Sequence, residues 1–128
     1  MDTPTKKRVL VVDDEKGFTD FIREALERTG RYEVRAENTG GSTLGAVRTF
    51  HPDLIFLDIL LPDVEGSKVA SDIRAEAGLR HVPIVFLTAI VTKEEQAAES
   101  GGLIGGFPFL AKPVTIEELV RCVEKYVR

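Results

Sequence analysis

The sequence has one cysteine, no tryptophan and no apolar run that approaches the length of a membrane span. A single cysteine, Cys122, excludes an internal disulfide and is typical of a reducing compartment. The apolar stretch after the N-terminal lysines covers only residues 9–12, which is too short for a signal peptide or a membrane helix. We therefore expect a cytoplasmic protein without membrane insertion, in which Cys122 behaves as a small hydrophobic residue.

Neither sign of charge dominates the sequence. It has 17 Lys and Arg and 21 Asp and Glu, which give a small net charge of −4. This negative net charge argues against a nucleic-acid-binding surface, on which Lys and Arg usually cluster, so direct nucleic-acid binding is not expected. The length of 128 residues fits one domain. We expect residues 1–6 to form an N-terminal tail and residues 7–128 to form that domain.

Short apolar runs alternate with stretches of helical spacing. The runs predict strands at residues 8–12, 32–36, 54–57, 83–87 and 107–111. The stretches between and after them predict helices at residues 18–28, 39–50, 67–77, 92–100 and 116–127, with a capping box at Thr115 and Glu118. Five such units predict an α/β fold, with a doubly wound parallel sheet and helices on both faces.

Polar side chains follow the predicted strands where ligands of an open parallel sheet bind. They are Asp13 and Asp14 after the first strand, Asp58 after the third, Thr88 after the fourth and Lys112 after the fifth. Neighbouring carboxylates repel each other unless a cation neutralises them, and oxygen ligands without Cys or His favour Mg²⁺. A metal beside an ammonium group suits a phosphoryl group, which a carboxylate can receive as an aspartyl phosphate. Asp58, at the end of the most apolar strand, is the candidate acceptor.

Four stretches of the chain resemble the receiver domains of two-component response regulators. They are VLVVDDE at residues 9–15, PDLIFLDILLPDVEG at 52–66, PIVFLTA at 83–89 and FLAKP at 109–113. Each stretch is weak alone, but the four occur in the family's order and together extend over nearly the whole chain. The resemblance implies a single three-layer, flavodoxin-like (CheY-like) (βα)5 domain, whose five-stranded parallel sheet has the strand order 2-1-3-4-5.

The resemblance also assigns roles to individual residues. Asp58 becomes the phosphoacceptor, and Mg²⁺ is bound by the Asp13, Asp14 and Asp58 carboxylates and the Leu60 backbone carbonyl. Thr88 and Lys112 contact the phosphoryl group, and the bond before Pro113 is cis. Thr88 and Phe109 form a switch, which the small side chain of Ala89 permits. Leu60 and Ile90 are at positions that tune hydrolysis of the phosphate, and their apolar side chains imply slow hydrolysis.

The function implied is that of a phosphorylatable receiver in a phosphorelay, a signalling switch and not an enzyme beyond its own phosphotransfer and autodephosphorylation. The implied phosphodonor is a sensor histidine kinase or phosphotransfer protein, and the signal leaves through the surface of the fourth helix, fifth strand and fifth helix. The sequence does not identify the output partner, and a homodimer through this surface is allowed. Two alternatives stay open: a non-phosphorylated interaction module of the same fold, and a small phosphatase, although the spacing of Asp13 and Asp14 is wrong for the latter.

Some segments depart from the family pattern or receive no function. The glycines from Gly101 to Gly106 predict mobility before the fifth strand, and Pro108 within that strand predicts an edge position. We interpret Asp63 and Glu65 as solvated loop charges, and Asn38, after the second strand, is not assigned. Phe18 and Phe21 recur at helical spacing in the first helix and are given no other role.

Overall fold

In the computed structural model, residues 5–89 and 103–127 are described. The elements are β1 (Lys7–Val12), α1 (Lys16–Arg28), β2 (Tyr32–Glu37), α2 (Thr43–Phe50), β3 (Leu54–Asp58), α3 (Gly66–Ala75), a 3₁₀ turn (Ala77–Leu79), β4 (Ile84–Thr88), β5 (Leu103–Ile104), β6 (Phe107–Ala111) and α4 (Ile116–Tyr126). The capping box at Thr115 and Glu118 opens α4, as predicted. The predicted helix at residues 92–100, Ile90, Gly101 and residues 1–4 of the predicted tail lie outside the described residues.

The strands form one sheet in the order β2-β1-β3-β4-β6-β5. Five of them, β2, β1, β3, β4 and β6, run parallel, which confirms the predicted order 2-1-3-4-5. The sixth strand, β5, was not predicted, and it pairs antiparallel with β6. The architecture is therefore the expected doubly wound sheet with a short hairpin added at one side.

The hairpin of β5 and β6 turns through Gly105 and Gly106, whose φ angles are +58° and +88°. A two-residue turn with both φ values positive matches the twist of the strands it joins, and glycine adopts it without a steric penalty. The edge position predicted from Pro108 is wrong, because Leu103 of β5 pairs with Pro108 on the outer side of β6. The register with β4 begins one residue later, at Phe109, so the missing N–H of Pro108 costs no bond in that ladder.

Successive strand residues enter two separate hydrophobic clusters, one on each face of the sheet. The first cluster packs α2 and α3 against the sheet, and the second packs α1 and α4. Cys122 is buried in the second cluster, where desolvation raises the pKa of its thiol to about 11. Within the described ranges, none of the helices has the length and apolar character that a membrane span requires.

Candidate functional site

The parallel register brings the predicted polar residues to one end of the sheet. Asp58 is the last residue of β3, and Thr88 is the last residue of β4. Asp13 follows β1 directly, and Lys112 follows β6 directly. The Lys112 backbone N–H donates to the Thr88 carbonyl at 2.8 Å, so these two neighbouring strand ends are joined by a hydrogen bond.

Asp13, Asp14 and Asp58 form an acidic cluster, in which one carboxylate oxygen from each residue lies within 4.8 Å of the other two. Asp13 is fully buried and Asp58 is 5% exposed, whereas Asp14 is open to solvent. The cluster therefore has a buried base and an open side. Three hard oxygen donors with several free coordination positions fit Mg²⁺, which keeps much of its water shell when it binds protein carboxylates.

Lys112 extends its ammonium group into the base of this cluster. Its Nζ lies 2.6 Å from Asp13 Oδ2 and 3.4 Å from Asp58 Oδ2. The ring of Phe18 covers the same ammonium, with its centroid 4.8 Å from Nζ, a distance at which a cation–π interaction forms. The sequence indicated Phe18 only as a residue at helical spacing, and its position over Lys112 depends on tertiary packing that helical spacing does not report.

Burial is the main reason that the pKa of the Asp58 carboxyl is raised above its ordinary value. The Leu60 backbone N–H and the Lys112 charge act in the opposite direction without cancelling it. For Lys112, desolvation alone would lower the pKa, but its hydrogen bond to Asp13 and the charges of Asp13 and Asp58 raise it. The ammonium thus stays charged, and the cluster retains an excess of negative charge that a divalent cation would relieve.

Backbone donors fix both buried carboxylates. Asp13 Oδ1 accepts the Glu15 N–H at 3.0 Å, and Asp58 Oδ1 accepts the Leu60 N–H at 3.0 Å. Glu15 is the residue before α1, so the bond to Asp13 also defines how that helix begins. Leu60 itself is 57% exposed, although its amide is bonded to the buried Asp58.

The predicted switch residues lie deeper than the acids. Thr88 is fully buried, and Phe109 is 3% exposed in the cluster that packs under α2 and α3. Ala89 is exposed, and Ile90 lies outside the described residues. The Lys112–Pro113 peptide bond is cis, as the resemblance implied. The roles assigned to Thr88, Phe109 and Ala89 stay predictions.

Three residues that shape the site were not identified from the sequence. Asn38 donates from Nδ2 to the Asp13 backbone carbonyl at 2.7 Å. Asp63 is an exposed loop charge, as predicted, but its carboxylate also accepts the N–H groups of two residues before α2, which the sequence did not indicate. At Gly66, a Cβ would lie 2.8 Å from the Ile59 Cα and 3.1 Å from the Asp58 carbonyl carbon. Asn38 directly follows a strand, so the strand-end rule that selected the acids could have selected it.

The model of the response regulator receiver domain matches residues 9–124. The chain belongs to this family. The receiver domain is 30% identical over 122 residues to the polar-differentiation response regulator DivK of Brucella ovis, covering 94% of this chain and 96% of that protein.

Solved structures agree with this assignment. A putative response regulator from Chloroflexus aurantiacus is 30% identical to this receiver domain, with a TM-score of 0.80 and coverage of 95% of this chain and 98% of the other. The chemotaxis protein CheY4 of Vibrio cholerae is 24% identical, with a TM-score of 0.81 and coverage of 96% and 100%, and this likeness supports the fold alone. The CheY-like architecture is thus shared across distant relatives.

Proposed function

We propose that this receiver domain accepts a phosphoryl group onto the Asp58 carboxylate from a phosphohistidine of a sensor histidine kinase or phosphotransfer protein. The observation that carries the proposal is the acidic cluster of Asp13, Asp14 and Asp58 with the Lys112 ammonium 3.4 Å from Asp58. A structural ion pair would need one carboxylate, whereas here the two buried carboxylates of Asp13 and Asp58 contact the one ammonium described in the cluster, and the exposed Asp14 adds a third carboxylate beside them. Such an excess of buried negative charge is costly unless the site binds a cation.

The residues that would hold Mg²⁺ are Asp14, Asp58 and the Leu60 backbone carbonyl, with Asp13 acting through a water molecule. Asp13 suits this indirect role because its two oxygens already accept hydrogen bonds from Glu15 and Lys112. When bound, Mg²⁺ supplies positive charge to the oxygens of the transferring phosphoryl group.

In the proposed transfer, an Asp58 carboxylate oxygen forms a bond to phosphorus as the bond from phosphorus to the histidine nitrogen breaks. The electron pair of the broken bond leaves with the imidazole, which takes up a proton from water. Lys112 pairs its charge with the phosphoryl oxygens, and the Thr88 hydroxyl donates a hydrogen bond to one of them. Thr88 ends β4, the strand that pairs with the strand of Asp58, and the Lys112 ammonium lies 3.4 Å from Asp58 Oδ2, so both groups start near the acceptor.

Phosphorylation then shifts a two-state equilibrium. Thr88 moves towards the new charge beside the small Ala89, and Phe109 responds within its buried cluster. The surface around β6 and α4 carries this change to a protein partner, whose identity is open, or to a second copy of the chain. Because this output is a protein contact, the proposed setting is a cytoplasmic phosphorelay without direct binding to nucleic acid.

The exposed Leu60 side chain would hinder the water molecule that hydrolyses the aspartyl phosphate. The proposed consequence is a phosphorylated state that outlasts the transfer reaction by minutes. Phosphorylated domain held with Mg²⁺ at neutral pH should retain its label over this time, and loss of the label within seconds would contradict the proposal.

Intact-mass measurement after incubation with acetyl phosphate and Mg²⁺ tests the transfer itself. We expect one phosphoryl group on the wild-type domain and on Asp72→Asn, which removes an exposed carboxylate of α3, and none on Asp58→Asn. An unmodified wild-type domain would contradict the proposal and favour a non-phosphorylated interaction module. Label retained by Asp58→Asn would place the acceptor elsewhere.

A further inference from the structure

The loop between β2 and α2, residues 38–42, contributes no carboxylate to the acidic cluster, yet it contacts both halves of the site. On one side, Asn38 Nδ2 donates to the Asp13 backbone carbonyl at 2.7 Å and to Thr19 Oγ1 at 3.1 Å. Thr19 is fully buried and donates its own hydroxyl to the Lys16 carbonyl at 3.0 Å. The Asn38 side chain therefore joins this loop to the segment that carries Asp13 and to the first turn of α1.

On its other side, the same loop is held by Asp63. Asp63 Oδ1 accepts the Gly40 N–H at 2.9 Å, and Oδ2 accepts the Gly41 N–H at 2.9 Å. These two hydrogen bonds are the main reason that the pKa of the Asp63 carboxyl is lowered. A carboxylate with both oxygens bonded to backbone N–H groups has one defined orientation, although the residue itself is exposed.

The loop also packs tightly against the segment between β3 and α3, residues 59–65. A Cβ on Gly40 would lie 3.1 Å from Val64 Cβ and 3.3 Å from atoms of Leu61 and Val69, so the two loops meet without spare room. The second segment is closed at its far end by the Gly66 N–H, which donates to the Ile59 carbonyl at 2.8 Å. Leu60, whose amide holds Asp58, lies within this closed segment.

We propose that Asp63 and Asn38 are positioning residues, which use residues 38–42 as a brace to hold the loop after β3, with its Leu60 amide, in place relative to Asp13. Asp63 fixes one end of the brace and Asn38 fixes the other. The part of this inference that concerns Mg²⁺ rests on the proposed function, whereas the part that concerns the Leu60 amide does not. Residues around a metal site that orient its ligands commonly change metal affinity by about tenfold or more when they are removed.

The test compares Asp63→Ala and Asp63→Asn with Glu65→Gln, which removes an equal charge from an exposed residue of the same segment. Mg²⁺ is titrated into each folded domain and followed by its amide NMR signals. We expect Asp63→Ala to weaken Mg²⁺ binding roughly tenfold, Asp63→Asn to fall between it and the wild type, and Glu65→Gln to change binding less than twofold. Equal effects of Asp63→Ala and Glu65→Gln would overturn the proposal, because they would show loss of charge alone.

A metal-free readout separates this inference from the proposed function. Without Mg²⁺, Asp63→Ala should shift the Leu60 amide signal and speed its hydrogen exchange, while Glu65→Gln leaves both unchanged. A Leu60 amide unaffected by Asp63→Ala overturns the proposal, whether or not the wild type binds Mg²⁺ or is phosphorylated. A domain that shows these amide effects but takes no phosphoryl group would refute the proposed function and leave the brace standing.

The double variant Asp63→Ala/Asn38→Ala tests the link through the loop. If both residues act through one brace, the double variant should weaken Mg²⁺ binding no more than about twofold beyond the worse single variant. A double effect equal to the product of the two single effects would show two independent supports and would overturn the brace.

Discussion

At the carboxyl end of the sheet, Asp13 and Asp58 share the Lys112 ammonium and are shielded from water. At the amino end, Arg8 pairs with Glu33 at 3.6 Å and Arg31 pairs with Glu124 at 3.5 Å, all with exposed side chains. Exposed ion pairs with one cation for each carboxylate contribute little to stability. Two buried carboxylates that share one cation lower stability, and a second cation would offset this cost. The contrast shows that the unequally matched buried charges of the described residues lie at the end of the sheet that carries the candidate site.

The largest effect is expected from Lys112→Met, which leaves two buried carboxylates without their cation. We expect a loss of about 3 kcal/mol in the free energy of unfolding at neutral pH, measured by urea denaturation without Mg²⁺. The matched control is Lys68→Met, which breaks an exposed pair with Asp72 and should cost less than about 0.5 kcal/mol. Equal losses of unfolding free energy in the two variants would contradict the expected difference between the buried and the exposed ion pairs.

Gly66→Ala should cost about 2 kcal/mol, because the new methyl group meets backbone atoms of Asp58 and Ile59 that cannot move away separately. The control is Gly45→Ala in α2, where an added Cβ meets nothing within 4 Å and should stabilise the helix by about 0.5–1 kcal/mol. Thermal unfolding of both variants measures the difference. A Gly66→Ala domain as stable as the wild type would show that the backbone after β3 can shift to accommodate the added methyl group.

Asp58→Asn should raise the Tm of the metal-free domain by a few degrees, roughly 2–5 °C, because it removes a charge that burial disfavours. The raised pKa of Asp58 means that the folded state holds its proton to higher pH than the unfolded state does. Wild-type stability therefore falls as pH rises through this window, above the ordinary value of 3.8. The advantage of the variant should be present at neutral pH and shrink on acidification. A lower Tm for Asp58→Asn at neutral pH would contradict this account.

The smallest effect is expected at the amino end, from Glu76→Gln. Arg48 Nε donates to Glu76 at 2.9 Å, and this hydrogen bond is the main reason that the pKa of Glu76 is lowered. A lowered pKa gives stability above the ordinary value of 4.5 that is lost as pH falls through the folded-state pKa. Because the pair is exposed, the change in Tm at neutral pH should not exceed about 2 °C and should vanish in acid. A difference in Tm between Glu76→Gln and the wild type that grows on acidification would contradict this expectation.

Much of the site was predictable because strand ends are local features of a sequence. Asp58, Thr88 and Lys112 each follow an apolar run, and parallel strands bring such residues together. Asp63 was not predictable in this way, because its partners Gly40 and Gly41 lie more than 20 residues away and meet it through loop packing. Helical spacing likewise does not report burial, because Phe21 has the same spacing as the buried Ile22 and Leu26 of α1 and is 53% exposed.

The fold was predictable to the same extent. Five alternating strand and helix patterns predict a parallel sheet, and the resemblance to the family implies its strand order, but β5 has only two residues and gives no periodic pattern. The pair Gly105–Gly106 between apolar residues is a hairpin signal, and weighing it above the expectation of a mobile connector would have revealed the turn.

The sheet separates the two hydrophobic clusters so completely that neighbours in the chain, such as Val11 and Val12, belong to different ones. A substitution under α2 and α3 therefore repacks against a different set of neighbours from one under α1 and α4. Evolution, or an engineer, can remodel one helical face of this domain while the other keeps its shape. New surface shapes can thus arise on one side at a time, around an acidic cluster that stays the same.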